Sequence, residues 1–532
     1  MARHRLKLTI ITSAIIIAVT FLAACSKQQA NDIAEVTGGT VQGAQQGKII
    51  AFKGIPFAAA PVAENRWRSP QPVTKWQGIK NTQEFAADCM QKPFASDAAP
   101  LGTTPSEDCL YLNVFRPAKQ AKQPYPVVVW IHGGGFVNGG ASPEVYSGDN
   151  FAKQGIVFVS FNYRLGRFGF FAHPALSKYE NDALGNYAFM DQIAALQWVN
   201  NNISQFAGDP EQVTIMGESA GGASVHAMMQ TPAAQGLFNK AVIMSAGGRN
   251  LFTQLPLQSH EKNTLSAQQI GLNFAELHAI TGSDSHALQA LRALTVDEVI
   301  DGLNLSSLHT INKQTPTYSG GPILDGTIIS AKMDEHLQNG SFSHVPVMVG
   351  TTDHDLGFAN YPSKAALFAS FNEQEKQARL AYDPDNTTPL SLLNYQVGQD
   401  SLMQEPARYV AAQVNRVGQQ AFIYRFGYVA QTEQAQGAAH ATEIPYFFNT
   451  VSKKYGHITT EQDKQTAKII HRYVANFIKL GTPNGPGLPT WGAYQADENN
   501  ILLLNKDGSA EFVRDPLEAR LNVIQALTKS KP

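Results

Sequence analysis

The chain reads as an α/β protein: a central, mostly parallel β-sheet flanked by helices. Three observations predict it. Short apolar runs rich in β-branched residues alternate with longer helical patterns along the chain. One of those runs, Val213–Met216, ends directly in a glycine turn that opens a second apolar segment. Two stretches, 255–315 and 360–415, are polar-helical and lack buried strand runs, which suits helical insertions forming a lid or gorge wall above the sheet.

The elements follow in order. Val127-Val128-Val129-Trp130-Ile131 and Ile156–Phe161 predict buried strands, as does Val213–Met216. Ala241–Met244, Val345–Val349 and Phe422–Phe426 continue the series. Pro346 lacks an N–H for a ladder, so its place is at the opening of its strand. Between them, Tyr187–Asn201 carries Phe189, Ile193, Leu196 and Val199 at helical spacing, and Ala220–Met229 predicts a helix starting just past the glycine turn. No internal repeat or long Gly/Pro/Ser linker divides the 532 residues, so one large domain over 33–527 is expected. Hydrophobic residues make up 43% and charged residues 16%, the balance of a globular chain rather than a disordered one. A net charge of −2 supplies no basic field for nucleic acid.

The first residues have their own logic. Arg3, His4, Arg5 and Lys7 precede an apolar stretch from Leu8 to Leu22, which closes on Ala23-Ala24. Positive flank, apolar length and small residues predict a secretory signal peptide over 1–24. Leu22-Ala23-Ala24-Cys25 resembles the lipobox of bacterial lipoproteins, which implies acylation of Cys25. Residues 25–32 then form a polar tether to the envelope, with Ser26 matching the outer-membrane sorting type, facing the periplasm or the cell surface. Export leaves Cys89 and Cys109 as the remaining thiols of three. A disulfide between them would close a loop of about twenty residues and stabilise the fold by about 3 kcal/mol. No Cys/His spacing suggests zinc, and no cofactor is expected.

Gly217-Glu218-Ser219-Ala220-Gly221 fits a G-x-S-x-G nucleophile elbow. A serine on a sharp strand-to-helix turn projects its hydroxyl clear of the sheet at a helix N-terminus, where backbone N–H groups favour negative charge. The pattern is weak alone. It gains force from His132-Gly133-Gly134-Gly135, directly after a buried strand, the kind of loop that offers N–H groups to an oxyanion. Gly134, Gly135 and Ala220 are the expected donors. A serine hydroxyl needs a base and an acid to orient it. In chain order Ser–acid–His these should follow late strands. Gly437-Ala438-Ala439-His440 makes His440 the base. Gly350-Thr351-Thr352-Asp353-His354-Asp355 offers Asp355 as the acid, with Asp353 as its competitor. His226, His344 and His354 lie at the wrong positions for the base.

These residues resemble the type-B carboxylesterase family, which includes carboxylesterases, cholinesterases and bacterial para-nitrobenzyl esterases. Glu107–Val114 is similar to the family's second signature, whose cysteine pairs with an upstream one; the resemblance implies a Cys89–Cys109 bridge. Asn162–Gly166, Asp191-Gln192, Phe206–Pro210, Gly217–Gly222 and His440–Tyr446 read as the family does. The family's acid is usually Glu in a Gly-Thr-Thr-x-Asp-Glu-Gly segment, and here Asp355 stands at that place. Glu218 and Ser245 match positions that support the catalytic groups. The resemblance implies an α/β-hydrolase fold and hydrolysis of small carboxylic esters through an acyl-enzyme on Ser219. An amidase or carbamate hydrolase on the same triad is the alternative within enzymes. A non-catalytic cholinesterase-like binding protein is the alternative outside them.

Overall fold

A computed structural model of the protein describes residues 32–529, apart from 95–96, 120–121, 181–183, 250–253, 260, 262–263 and 309–314. The expected signal peptide (1–24), Cys25 and all but the end of the tether lie outside the described residues. Eleven strands build the main sheet. In chain order they are β1 (Ala44–Gln46), β2 (Ile49–Pro56), β3 (Tyr111–Pro117), β4 (Tyr125–Ile131), β5 (Val157–Phe161) and β6 (Gly208–Glu218). There follow β7 (Lys240–Met244), β8 (Val347–Thr352), β9 (Ala421–Phe426), β10 (Asn500–Leu504) and β11 (Ala510–Arg514).

The spatial order is β11-β10-β9-β8-β7-β6-β4-β5-β3-β2-β1. Strands β4 to β10 pair in parallel with one another. β1, β2, β3 and β11 pair antiparallel at the two edges. The parallel strands are continuous apolar runs because helices cover both faces; Val127 to Ile131 of β4, for example, are fully buried. The edge strands were not legible from the sequence: β1 and β11 are short and largely half-exposed, while β2 and β3 are buried but interrupted by Lys53-Gly54 and by Asn113 and Arg116. Pro346 sits just outside β8, and its carbonyl accepts from Ala241 N at 3.1 Å. β6 begins earlier than its apolar run: its ladder with β4 is interrupted between Gly208 and Val213, the stretch that contains Pro210, which has no N–H to donate.

Helix α1 (Tyr187–Asn202) is buried along most of its length, and α2 (Ala220–Gln230) is buried throughout. The two insertions differ in what they do. The first holds helices Ala267–Leu277, Ser285–Ala293 and Val296–Ile300 and continues to Leu305 and Leu308, which overhang the glycine loop after β4. The second is only partly an excursion. Its last helix, α3 (Glu405–Arg416), packs against β8 and β9 and contributes Ala407, Val410, Ala411 and Val414 to the main core. The expectation of a lid over the whole of 360–415 is therefore corrected: α3 is an amphipathic covering helix of the sheet, with an apolar stripe at i, i+3, i+4 and i+7. The helices before it form a small separate core with Val523 and Ile524 near the C-terminus. Among the described residues no helix is long and apolar enough to cross a membrane.

Candidate active site

The sheet order itself assembles the site. β4 and β6 are adjacent, with Ile131 opposite Gly217. The loops that leave their carboxyl ends are therefore neighbours, at the point where the strand order reverses and α/β sheets bind ligands. β8 and β9 are adjacent too, with Thr352 opposite Phe426, so the segments carrying Asp355 and His440 leave the same end side by side.

Ser219 is the hinge between β6 and α2. Its backbone is held at φ 55° and ψ −124°, a costly conformation for a residue with a side chain. Its N–H donates to Met244 O at 3.0 Å, and its carbonyl receives Ala223 N at 2.9 Å. The turn is possible because Gly217 and Gly221, two residues to either side, carry no side chain: a Cβ on Gly221 would lie 2.0 Å from Ile131 O. Ser219 is half-buried, and among the described residues its hydroxyl makes no hydrogen bond. The His132–Gly135 loop passes beside it, close enough that a Cβ on Gly133 would be 3.1 Å from Ser219 Cβ. Gly134 and Gly135 adopt φ +103° and +61°, which turns the loop back so that Val137 N and Asn138 N donate to Gly134 O. The N–H groups of Gly134, Gly135 and Ala220 donate to no backbone acceptor among the described residues.

The loop is braced from several sides. His132 is buried and stacked on Tyr163 at 4.3 Å, and Tyr163 donates its hydroxyl proton to His132 O at 2.8 Å. Burial pushes the His132 imidazole down to about 4, so it is a neutral strut. Asn138 and Gly139 both donate to Gln91 Oε1, at 3.1 and 2.9 Å. Gln91 stands two residues from Cys89, which forms a disulfide with Cys109. The bridge thus anchors the segment that grips this loop. Leu305 N donates to Asn138 Oδ1 at 2.8 Å, and the Leu305 and Leu308 side chains make an apolar wall over Gly135.

His440 Nδ1 lies 2.6 Å from Asp355 Oδ1. The His440 side chain is 19% exposed and the Asp355 side chain 0%. Asp355 also accepts from Leu356 N at 2.8 Å and Thr352 N at 3.0 Å. Burial would raise its pKa, but His440 and these hydrogen bonds outweigh it, so the carboxyl falls below its usual range. The other ring nitrogen, Nε2, is 3.3 Å from Glu218 Oε1, the side chain next to Ser219. Burial disfavours the imidazolium, yet Glu218, Asp355 and Glu443 together raise the His440 pKa above its ordinary value. Glu218 is raised by burial, against the pull of His440. Ser245, at φ 45° after β7, donates to Glu443 Oε1 at 2.5 Å.

Most of the predicted residues are thus gathered in one place. Asp353 is turned away: it accepts from Ala438 N at 2.7 Å rather than from His440. His226 is buried and neutral, its pKa pushed down to about 4 by burial. His344 bonds Gly340 O, and His354 stacks on Tyr395. Glu443 was missed as a site residue. The sequence signal was its place three residues after His440, one turn along the same segment.

A family model described as the carboxylesterase family matches residues 30–391 and 370–522. The chain belongs to the carboxylesterase family. This carboxylesterase is 31% identical to a para-nitrobenzyl esterase of Bacillus subtilis over 492 residues, covering 89% of this chain and 94% of the relative. It is 32% identical to a fumonisin B1 esterase of Sphingopyxis macrogoltabida over 419 residues, 77% of this chain and 73% of that one. A solved PNB esterase structure superposes with a TM-score of 0.78 at 27% identity, covering 93% of this chain and 99% of the other. The protein is a carboxylic-ester hydrolase of the α/β-hydrolase fold.

Proposed function

We propose that this carboxylesterase works through an acyl-enzyme on Ser219, with His440 as base and acid and Asp355 as its orienting carboxylate. One observation carries the reading: a buried aspartate bonded at 2.6 Å to Nδ1 of an imidazole whose Nε2 lies 3.3 Å from Glu218 Oε1, the residue preceding Ser219. His440 takes the Ser219 proton as the hydroxyl attacks the ester carbonyl, then returns it to the departing alcohol. Water repeats the sequence on the acyl group. Asp355 holds the tautomer that leaves Nε2 free to accept, and stabilises the imidazolium that forms. The N–H groups of Gly134, Gly135 and Ala220 bind the oxyanion, each such donor being worth about 10²–10³ in turnover. The apolar wall of Leu305 and Leu308 favours an uncharged group beside the carbonyl.

An amide or carbamate could in principle use the same groups, so bond preference is the test. With p-nitrophenyl butyrate and the matched anilide and carbamate, kcat/KM should be highest for the ester by at least about 10²-fold, a gap of roughly 3 kcal/mol. Equal or faster anilide cleavage would assign the site to amides.

Glu218 supplies a second expectation. Only neutral His440 can accept a proton, so activity rises with pH through the His440 pKa, which its carboxylate neighbours lift. Replacing Glu218 by Gln removes a carboxyl whose ionised form lifts the His440 pKa, although burial raises its own. The imidazolium is then less favoured, and the acid limb of kcat/KM against pH should move to lower pH by about 1 unit. An unmoved limb would mean that Glu218 carries no charge beside the ring.

A further inference from the structure

Asp355 is a short carboxylate with a single methylene, and it reaches His440 Nδ1 at 2.6 Å. A short side chain leaves the backbone to set the distance. That backbone is held at Thr352, the last residue of β8. The Thr352 N–H donates to Asp355 Oδ2 at 3.0 Å, and the Thr352 carbonyl accepts from Gln404 Nε2 at 2.7 Å. Gln404 comes from a distant part of the chain. It ends a π-helical turn, Asp400–Gln404, inserted between the helix Leu390–Gln399 and α3. Such turns add a residue to a helix and re-aim the side chains at that point.

Gln404 is buried, and its carboxamide is well used. Oε1 receives the Thr351 hydroxyl at 2.7 Å and Arg425 Nε at 2.8 Å. Arg425 is held in turn by both oxygens of Asp515, at 2.8 and 3.1 Å. The nearby acids on the same helix are engaged elsewhere: Asp400 with Arg520 and Glu405 with Arg249, at 2.7 and 2.8 Å. A chain of closed polar contacts therefore runs from Asp515 through Arg425 and Gln404 to the turn that presents Asp355.

We propose that Gln404 is a positioning residue, gripping the end of β8 from beneath so that the short Asp355 meets His440. This rests on the triad reading above and deepens it. If Thr352 is released, Asp355 recedes from Nδ1. The loss falls on the transition state, where the imidazolium needs its partner, and not on substrate binding. It also weakens the support that Asp355 gives the charged ring, alongside Glu218 and Glu443.

The test compares Gln404→Met and Thr351→Val with the parent on p-nitrophenyl acetate. Thr351→Val is nearly isosteric and removes one of the contacts that hold Gln404, so it remains informative if Gln404→Met does not fold. Rates are taken per active site, counted by titration with a fluorophosphonate. Gln404→Met should lower kcat by about 10–100-fold and Thr351→Val by about 2–5-fold, with KM within threefold in both. The acid limb of kcat should move to lower pH in each. A purely structural role would lower the thermal midpoint while leaving kcat per titrated site and the pH limb at parental values; that result in both variants overturns the proposal. Ser219→Ala, run alongside, separates the two readings, since a fully active Ser219→Ala fails the triad itself whatever Gln404 does.

Discussion

Ser219→Ala should abolish turnover of p-nitrophenyl esters, lowering kcat by about 10⁵–10⁶-fold while the protein stays folded. The size follows from the chemistry. Without the hydroxyl no acyl-enzyme forms, and the remaining N–H groups and binding contacts retain only about 10³–10⁴ over water. The loss corresponds to about 7–8 kcal/mol of transition-state stabilisation. The fold is indifferent for reasons visible at the turn. Alanine keeps the Cβ and hence the same crowding at φ 55°, and the deleted hydroxyl has no hydrogen-bond partner to leave behind among the described residues. Thermal melting within about a degree of the parent, with hydrolysis at the background rate, is the expected pair of measurements. Substantial residual activity would mean that another group attacks the ester.

Asp355→Asn should be nearly as severe, lowering kcat by about 10⁴-fold with KM little changed. The amide is isosteric; with its NH2 toward His440 it keeps an oxygen for Thr352 N, while Leu356 N loses the acceptor that Oδ1 supplied. What changes is the face it offers to His440. An amide N–H pointed at Nδ1 selects the tautomer with the proton on Nε2, which cannot accept from serine, and a neutral amide gives the imidazolium no counter-charge. Asp353→Asn is the control. Its Oδ1 can go on accepting from Ala438 N, so activity should stay within a few-fold of the parent. Reversed effects in the two variants would hand the acid's role to Asp353.

Strands β4 to β9 of the parallel heart were legible because each is a short apolar run bounded by turn residues, and both glycine motifs stand at strand ends; β10 (Asn500–Leu504) was not read as a strand. The antiparallel edges were not legible either. Ala44–Gln46 and Ala510–Arg514 are half-exposed, without an unbroken apolar run, and gain their strand character from pairing. α3 was misjudged for a related reason. Its apolar stripe is diluted by Glu405, Arg408 and Arg416, whose partners Arg249, Asn522 and the Leu337 carbonyl lie far away in sequence. Within the site, local motifs and chain order led to Ser219, His440 and Asp355, and the last two stand in contact. Glu443 and Gln404 were not readable, because a buried carboxyl or carboxamide is defined by what the fold brings against it. Ser245 and Thr352 become their partners only once β7, β8 and β9 lie side by side.

The account stands on Ser219 being the group that attacks. The most direct measurement is stoichiometric inactivation by a fluorophosphonate, followed by mass mapping of the modified peptide. One phosphonyl group per chain on Ser219, with esterase activity falling in proportion, is the predicted result. Modification at another residue, or full activity after Ser219 is completely modified, would contradict it.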